Sequence, residues 1–553
     1  MKLISKLKFL LPLCLLLVGP TLAQEGKINS LQQMMLFRSF IQDADACMVI
    51  VKDRTVNYAD AVTNSTPTTC PDMFAWVQLA EAIDQKWWEW GLDQTVWPAV
   101  PWPVCTESIT SNCCSQTAKA ISESQPEHCP AFRADYKNPS PLPNSITRPS
   151  GDVISHTGLN NINDRDPERL LRDLDHELTF RNKPFVKYVL DQDLYSKEGL
   201  GSRNRAQAAA ISAGNIGLAH RLEVSFPTDA SMVKADFIPM DIMLDRKLIQ
   251  NQAKGSTINP PNNPDYPYLT VWIGGDKEGS TLTPDPKHPD DRSKDVYSYN
   301  GYYYLVAMTN ASKDLPKWHW YALEHVANEG RCDLIGCNDS YGYQVSAHKQ
   351  RRNNADFGSS YVPPHITYNN DRHSGNDAIF HLGKTYLPAE TGETISADLK
   401  ALLKEFNIGT DKTDTDPTTI SGADPAWMNY RMKGTQTAFY HATGVPTGMG
   451  ASVTEGGFVN SASCMSCHAQ ASVNAYGQSG FQGVGSTWRP NLDGMTEVTM
   501  GAPNISDFYG LGGPTITATQ IDFVWGILGA SCQAVSDSPG VCADYPDKPS
   551  IKE

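Results

Sequence analysis

Cysteine placement constrains this 553-residue chain more than any other feature. Of thirteen cysteines, Cys464 and Cys467 stand three apart with His468 directly after, in the stretch SASCMSCHAQ. Setting that pair aside, with Cys14 in the apolar start of the chain, leaves ten: 47, 70, 105, 113, 114, 129, 332, 337, 532 and 542. An even set of this size fits five disulfides, which persist in an oxidising compartment. Cys332 with Cys337 and Cys532 with Cys542 suit local pairs. The other six fall in the first third. Adjacent Cys113 and Cys114 are expected to take different partners, since a ring across one peptide bond is strained.

The first residues agree with export. Lys2, Lys6 and Lys8 precede an apolar run over 9–18, and Thr21-Leu22-Ala23 follows, which together read as a signal peptide cleaved after Ala23. The run is far short of the roughly 20 residues of a spanning helix, and no later segment approaches that length. The expected location is the periplasm or another exported compartment. A net charge of −15 disfavours a nucleic-acid partner, because phosphate backbones recruit cations. The expected partners are a redox protein or a small-molecule substrate.

Pattern along the chain predicts an α+β protein. After the signal peptide at 1–23, residues 24–137 form a Cys/Trp-rich helical region. It holds six of the twelve tryptophans (76, 87, 88, 90, 97 and 102), which read as core rather than as a binding surface. A Pro-rich stretch over 138–152 opens a second region, 138–395, expected to contain a helix pair and a β-rich domain. The first helix of the pair has Asp166 as cap, Pro167 next, and Leu170, Leu171 and Leu174 on one face. Asp173, Asp175 and Glu177 then fall on its solvated side. The second helix follows Asn182, through Phe185 to Leu190. Four β-branched or aromatic runs, LEVSF, ASMVKADFIP, YLTVWIG and GYYYLVAMT, predict an antiparallel sheet or sandwich. The last region, 396–553, is expected to be helical and irregular. Ser396 caps a helix whose stripe is Leu399, Leu402, Leu403 and Phe406, stopped by Gly409. TQIDFVWGILGASC predicts another helix, with Ile521, Val524, Trp525 and Leu528 facing in.

C-x-x-C-H is the pattern of a covalently held c-type haem. Two thiols one helical turn apart can both reach the vinyl edge of the ring, and the next imidazole can face the iron. This composition would produce the pattern by chance only about 0.007 times. A thioredoxin-type disulfide would want a βαβ setting, which the preceding VTEGGFVNSAS does not offer. Zinc would want a second ligand pair, and no C-x-x-C or H-x3-5-H follows. A structural disulfide across this spacing is tight. Cys464 and Cys467 are therefore the expected haem anchors, and His468 the expected proximal iron ligand. Candidates for the sixth ligand are Met495 and Met500, 27 and 32 residues downstream, Met449 upstream, and His441 and His325. An open sixth position is the other possibility. A second polar cluster, Glu324, His325 and Asn328, follows Trp318 and Trp320. It could be a haem-distal acid/base pair or a docking surface, or a hydrogen-bond cluster at a strand end.

Several segments occur together in order: RDLDHELTFRNKPFVKYVLDQDLYSKEG, SMVKADFIP, WHWYALEHVAN, NYRMKGTQ, GVPTGMGASVTE, SASCMSCHA and IDFVWGIL. On these the chain resembles, over roughly 160 to 530, a family of large periplasmic mono-haem c-type cytochrome proteins of bacteria. The resemblance implies one haem c on Cys464, Cys467 and His468. The leading expectation is one-electron transfer through that haem. The alternatives are a haem enzyme of peroxidase or oxygenase type with an open sixth site, with His325 or Glu324 nearby, and an accessory protein that binds a ligand or partner through its Trp-rich region and carries a haem.

Overall fold

The computed structural model describes residues 47, 49–58, 66–105, 112–115, 128–133, 176–250, 260–283, 296–331, 341, 385–391, 394–411, 413, 416–440, 444, 446–455, 462–480, 488–490, 496–498, 501–509, 515–534 and 542. The expected helix at 166–174, Asp173, Asp175, Cys332, Cys337, His441, Met495 and Met500 lie outside these residues.

An antiparallel sheet of eight strands organises the chain. In chain order these are β1 (Gly91–Leu92), β2 (His176–Arg181), β3 (Ser231–Pro239), β4 (Thr270–Ile273), β5 (Gly279–Thr283), β6 (Val296–Ser312), β7 (His319–His325) and β8 (Tyr430–Gln436). The spatial order is β8-β7-β6-β3-β2-β1, with β4 and β5 both pairing the first half of the long β6. Three of the four expected runs are strands here. LEVSF is not: Leu222 closes a short helix, Ile216–Arg221, and Phe226 N donates to the Asp522 carboxylate instead of to a neighbouring strand. Glu177, expected on a helix, sits on β2.

Strand alternation gives the sheet an apolar face. Leu178 and Phe180, Val233, Ala235 and Phe237, Met308, Tyr321 and Leu323, and Tyr430 and Met432 share one buried cluster. Two helices cover it. α1 (Pro71–Asp84) starts with proline in its first turn and buries Met73, Trp76, Leu79 and Ile83. The other, at Ala397–Glu405, is the helix expected from its stripe. Ser396 Oγ accepts from Leu399 N at 3.1 Å, and Leu399, Leu402, Leu403 and Phe406 are all buried. Gly409 ends the segment at φ +66°, a left-handed conformation that glycine adopts freely. Trp76 and Ile83, Val233 and Phe237, and Leu399 and Leu402 all belong to this one buried cluster.

Asn182 caps a further helix, Lys183–Asp191, its Oδ1 accepting from Phe185 N at 3.2 Å. Trp76, Trp87, Trp88, Trp90 and Trp97 are buried and Trp102 half-buried, as core side chains. Disulfides join Cys47–Cys70, Cys105–Cys113, Cys114–Cys129 and Cys532–Cys542, so Cys113 and Cys114 do take different partners. These bonds fit an oxidising location. No helix among the described residues is long and apolar enough to cross a membrane.

The expected helix at TQIDFVWGILGASC is replaced by tertiary structure. Thr519–Gln520 pair with Ser472–Val473 as strands. Asp522 and Phe523 then adopt φ +48° and +66°, and only Trp525–Gly529 form a short 3-10 turn. Of the four residues expected to face in, Ile521 and Val524 are buried, and Trp525 and Leu528 are half-buried against the same cluster.

Candidate functional site

The second face of the sheet is polar, and its registers line up in three cross-strand rows. The first is Arg181, Met232, Ala311, Trp320 and Gln436. The second is Thr179, Lys234, Thr309, Ala322 and Gly434. The third is Glu177, Asp236, Ala307, Glu324 and Arg431. Buried polar groups must find partners, and here they grip the chain leading into the cysteine motif. Gln436 Nε2 donates to Thr447 Oγ1 at 2.9 Å and to Ser463 Oγ at 2.8 Å, and its Oε1 accepts from Met465 N at 3.0 Å. Thr454 Oγ1 donates to Asp236 Oδ2 at 2.9 Å. Ser452 donates to Glu324 through both its backbone N–H and its hydroxyl, the latter at 3.0 Å.

On this support Cys464–His468 forms a single helical turn. Ser463 caps it, its Oγ accepting from Ser466 N at 3.2 Å. Cys464 and Cys467 are not disulfide-bonded, although the eight other described cysteines all are. Cys464 is buried, its Sγ 3.8 Å from Met449 O, and burial followed by the Glu455 carboxylate holds its pKa well above the usual thiol range. Trp525 Nε1 donates to Cys467 O at 3.1 Å and Gln520 Nε2 to Ala469 O at 2.7 Å, tying the turn to the chain's last segment.

His468 Nδ1 lies 2.8 Å from Phe523 O. A carbonyl only accepts, so Nδ1 carries the proton and Nε2 keeps its lone pair. Burial, then the Lys234 cation, pushes the His468 pKa down to about 3, so the ring is neutral at ordinary pH. The Trp320 ring packs against the imidazole, centroids 4.6 Å apart.

A cavity of about 240 Å³ opens beside His468, its sheet wall made by members of all three rows, chiefly Glu177, Arg181, Met232, Lys234 and Trp320, and its far side by Trp525 and Gly526. Its charges come as pairs: Lys234 Nζ with Glu177 Oε2 at 3.0 Å, and Arg181 Nε with Asp93 Oδ1 at 2.8 Å. Burial alone would lower the Lys234 pKa, but Glu177, Asp236 and Glu455 outweigh it and keep the ammonium charged.

The cluster expected at 324–328 is split by the sheet. Adjacent strand residues point to opposite faces, so Glu324 meets the motif's loop while His325 enters the far side. There His325 stacks on Tyr268 at 3.6 Å, accepts from Ala327 N at Nδ1, and places Nε2 3.2 Å from Pro267 O. Both ring nitrogens are engaged away from His468. Asn328 is a structural partner, donating to Val306 O at 2.9 Å. Met449 is buried and is not among the cavity residues.

The donor set suits a c-type haem. It combines two thiols kept out of disulfides on one turn with a neutral imidazole whose Nε2 lone pair is free. Zinc has less support. Among the described residues the one close group of three potential ligands is Glu198, Cys532 and Cys542, and those sulfurs are bonded to each other. Sequence reasoning missed Glu177, Arg181, Met232 and Lys234 as cavity walls. The available signal was a strand, SMVKADFIP, with charged residues at alternate positions of an otherwise apolar run. Comparisons with protein-family models, with curated proteins and with solved structures gave no match, which leaves the site's own geometry to carry the chemistry.

Proposed function

We propose that the chain is an exported mono-haem c-type cytochrome that transfers single electrons. One observation carries this reading: Cys464 and Cys467 stay outside the disulfides on one helical turn while His468 Nδ1 is held by a backbone carbonyl as the Nδ1–H tautomer. A bound haem supplies the Fe(II)/Fe(III) couple. The chain's own residues do the rest. Cys464 and Cys467 would hold the ring, and His468 would offer Nε2 to the iron. Trp320 and Trp525 limit the water around the imidazole, and the paired charges of the sheet face tune the site electrostatically.

The test is to mature the full chain with haem-attachment machinery and record a pyridine haemochrome spectrum and the intact mass. One covalent haem is expected, lost on Cys464→Ala with Cys467→Ala. An unmodified wild-type mass would refute the proposal. The cavity beside His468 also favours a second reading, a haem enzyme with an open sixth position for a small ligand. A low-spin spectrum unchanged by cyanide or CO selects electron transfer, and a high-spin, ligand-binding iron selects catalysis.

A further inference from the structure

Phe523 O, the acceptor for His468, sits on an unusual piece of backbone. Asp522 and Phe523 are consecutive non-glycine residues at φ +48° and +66°, a region that side chains disfavour and that persists only where surroundings enforce it. The enforcement is visible at Asp522. Its Oδ1 accepts from Lys313 Nζ at 2.5 Å and its Oδ2 from Phe226 N at 2.7 Å. Its main-chain oxygen accepts from Trp318 Nε1 at 3.0 Å. Both members of the ion pair are about 6% exposed. Lys313 and Trp318 belong to the hairpin joining β6 and β7, the hairpin that also delivers Trp320 to the imidazole.

Resting on the haem reading, we propose that Asp522, clamped by Lys313, is a positioning residue for the proximal histidine. It holds the left-handed pair so that Phe523 O accepts the hydrogen bond from His468 Nδ1–H. That hydrogen bond fixes the tautomer and makes Nε2 a stronger donor, which favours the oxidised iron and lowers the reduction potential. Loosening the clamp weakens the bond and raises the potential.

Two variants of the full haem-loaded chain separate positioning from simple charge. Asp522→Asn removes a negative charge and Lys313→Met a positive one. A direct field effect moves their potentials in opposite directions, up for the first and down for the second. Positioning moves both up. Lys313→Met alone decides the matter if Asp522→Asn does not fold, because the two accounts give it opposite signs. A lowered or unchanged potential in Lys313→Met overturns the proposal. Nitrogen-15 chemical shifts of His468 in the haem-free full chain give a second readout. The wild type is expected as the pure Nδ1–H tautomer and the variants as mixtures, and unchanged shifts in the variants would overturn the proposal. If the wild type takes no covalent haem, the proposed function fails, and the tautomer measurement still decides this inference.

Discussion

Glu324 shows how a chemically suggestive residue can have a mechanical role. It is fully buried, and both of its oxygens receive hydrogen bonds from Ser452. Truncating it strands those half-buried donors, at a cost of about 1 kcal/mol. Glu324→Ala is therefore expected to lower the denaturation free energy by roughly that amount, while Glu324→Gln, which keeps an acceptor, leaves any peroxidase turnover at its wild-type level. A selective loss of turnover in Glu324→Gln, with stability intact, would restore an acid/base role. The motif itself was legible in the sequence, because Cys464, Cys467 and His468 are local to one turn. The cavity wall was not, because Lys234 reaches His468 across more than two hundred residues of chain. Alternation says which residues share a face, but not what that face meets.

Elements differ in how far their own residues determine them. The helix Ala397–Glu405 has cap, stripe and stop within its own sequence, so it was readable residue by residue. Ser396→Ala is expected to cost about 1 kcal/mol and Leu402→Ala about 2–5 kcal/mol, measured by denaturant unfolding. A Leu402→Ala effect under 1 kcal/mol would mean that the helix is not part of the cooperative core. The segment at 519–529 carries an equally good helical stripe, yet it folds otherwise. Its burial pattern survived while its backbone did not, because Lys313, Trp318, Phe226 and His468 all bond groups at 522–523. Tertiary partners won over local periodicity at the point where the chain serves the site.

The whole molecule carries a pH signature that belongs to its core rather than to its surface. Burial lowers the pKa of His176 and His319 to about 4 and takes His325 well below its ordinary value of 6.5. These rings fold in the neutral form, so their contribution is complete above pH 6.5 and is lost as pH falls through 4. For His176 and His319 that is on the order of 3 kcal/mol each, a large share of a typical net stability of about 5–15 kcal/mol. Asp193, raised to about 6 chiefly by burial, works in the opposite sense, since it folds best protonated. The difference between wild type and His176→Gln isolates the histidine. The variant's unfolding free energy is expected to fall less steeply between pH 6.5 and 4, and parallel profiles would count against a buried neutral ring. The same closed interior bears on when the site can be built. Cys464 is 5% exposed and lies under a loop pinned to strands drawn from residues 231 to 436. A thiol so enclosed, and so hard to ionise, is out of reach of reagents once the sheet has closed. The haem attachment proposed above would thus be an assembly step, completed on an open chain, with the fold closing like a lock only after its contents were in place.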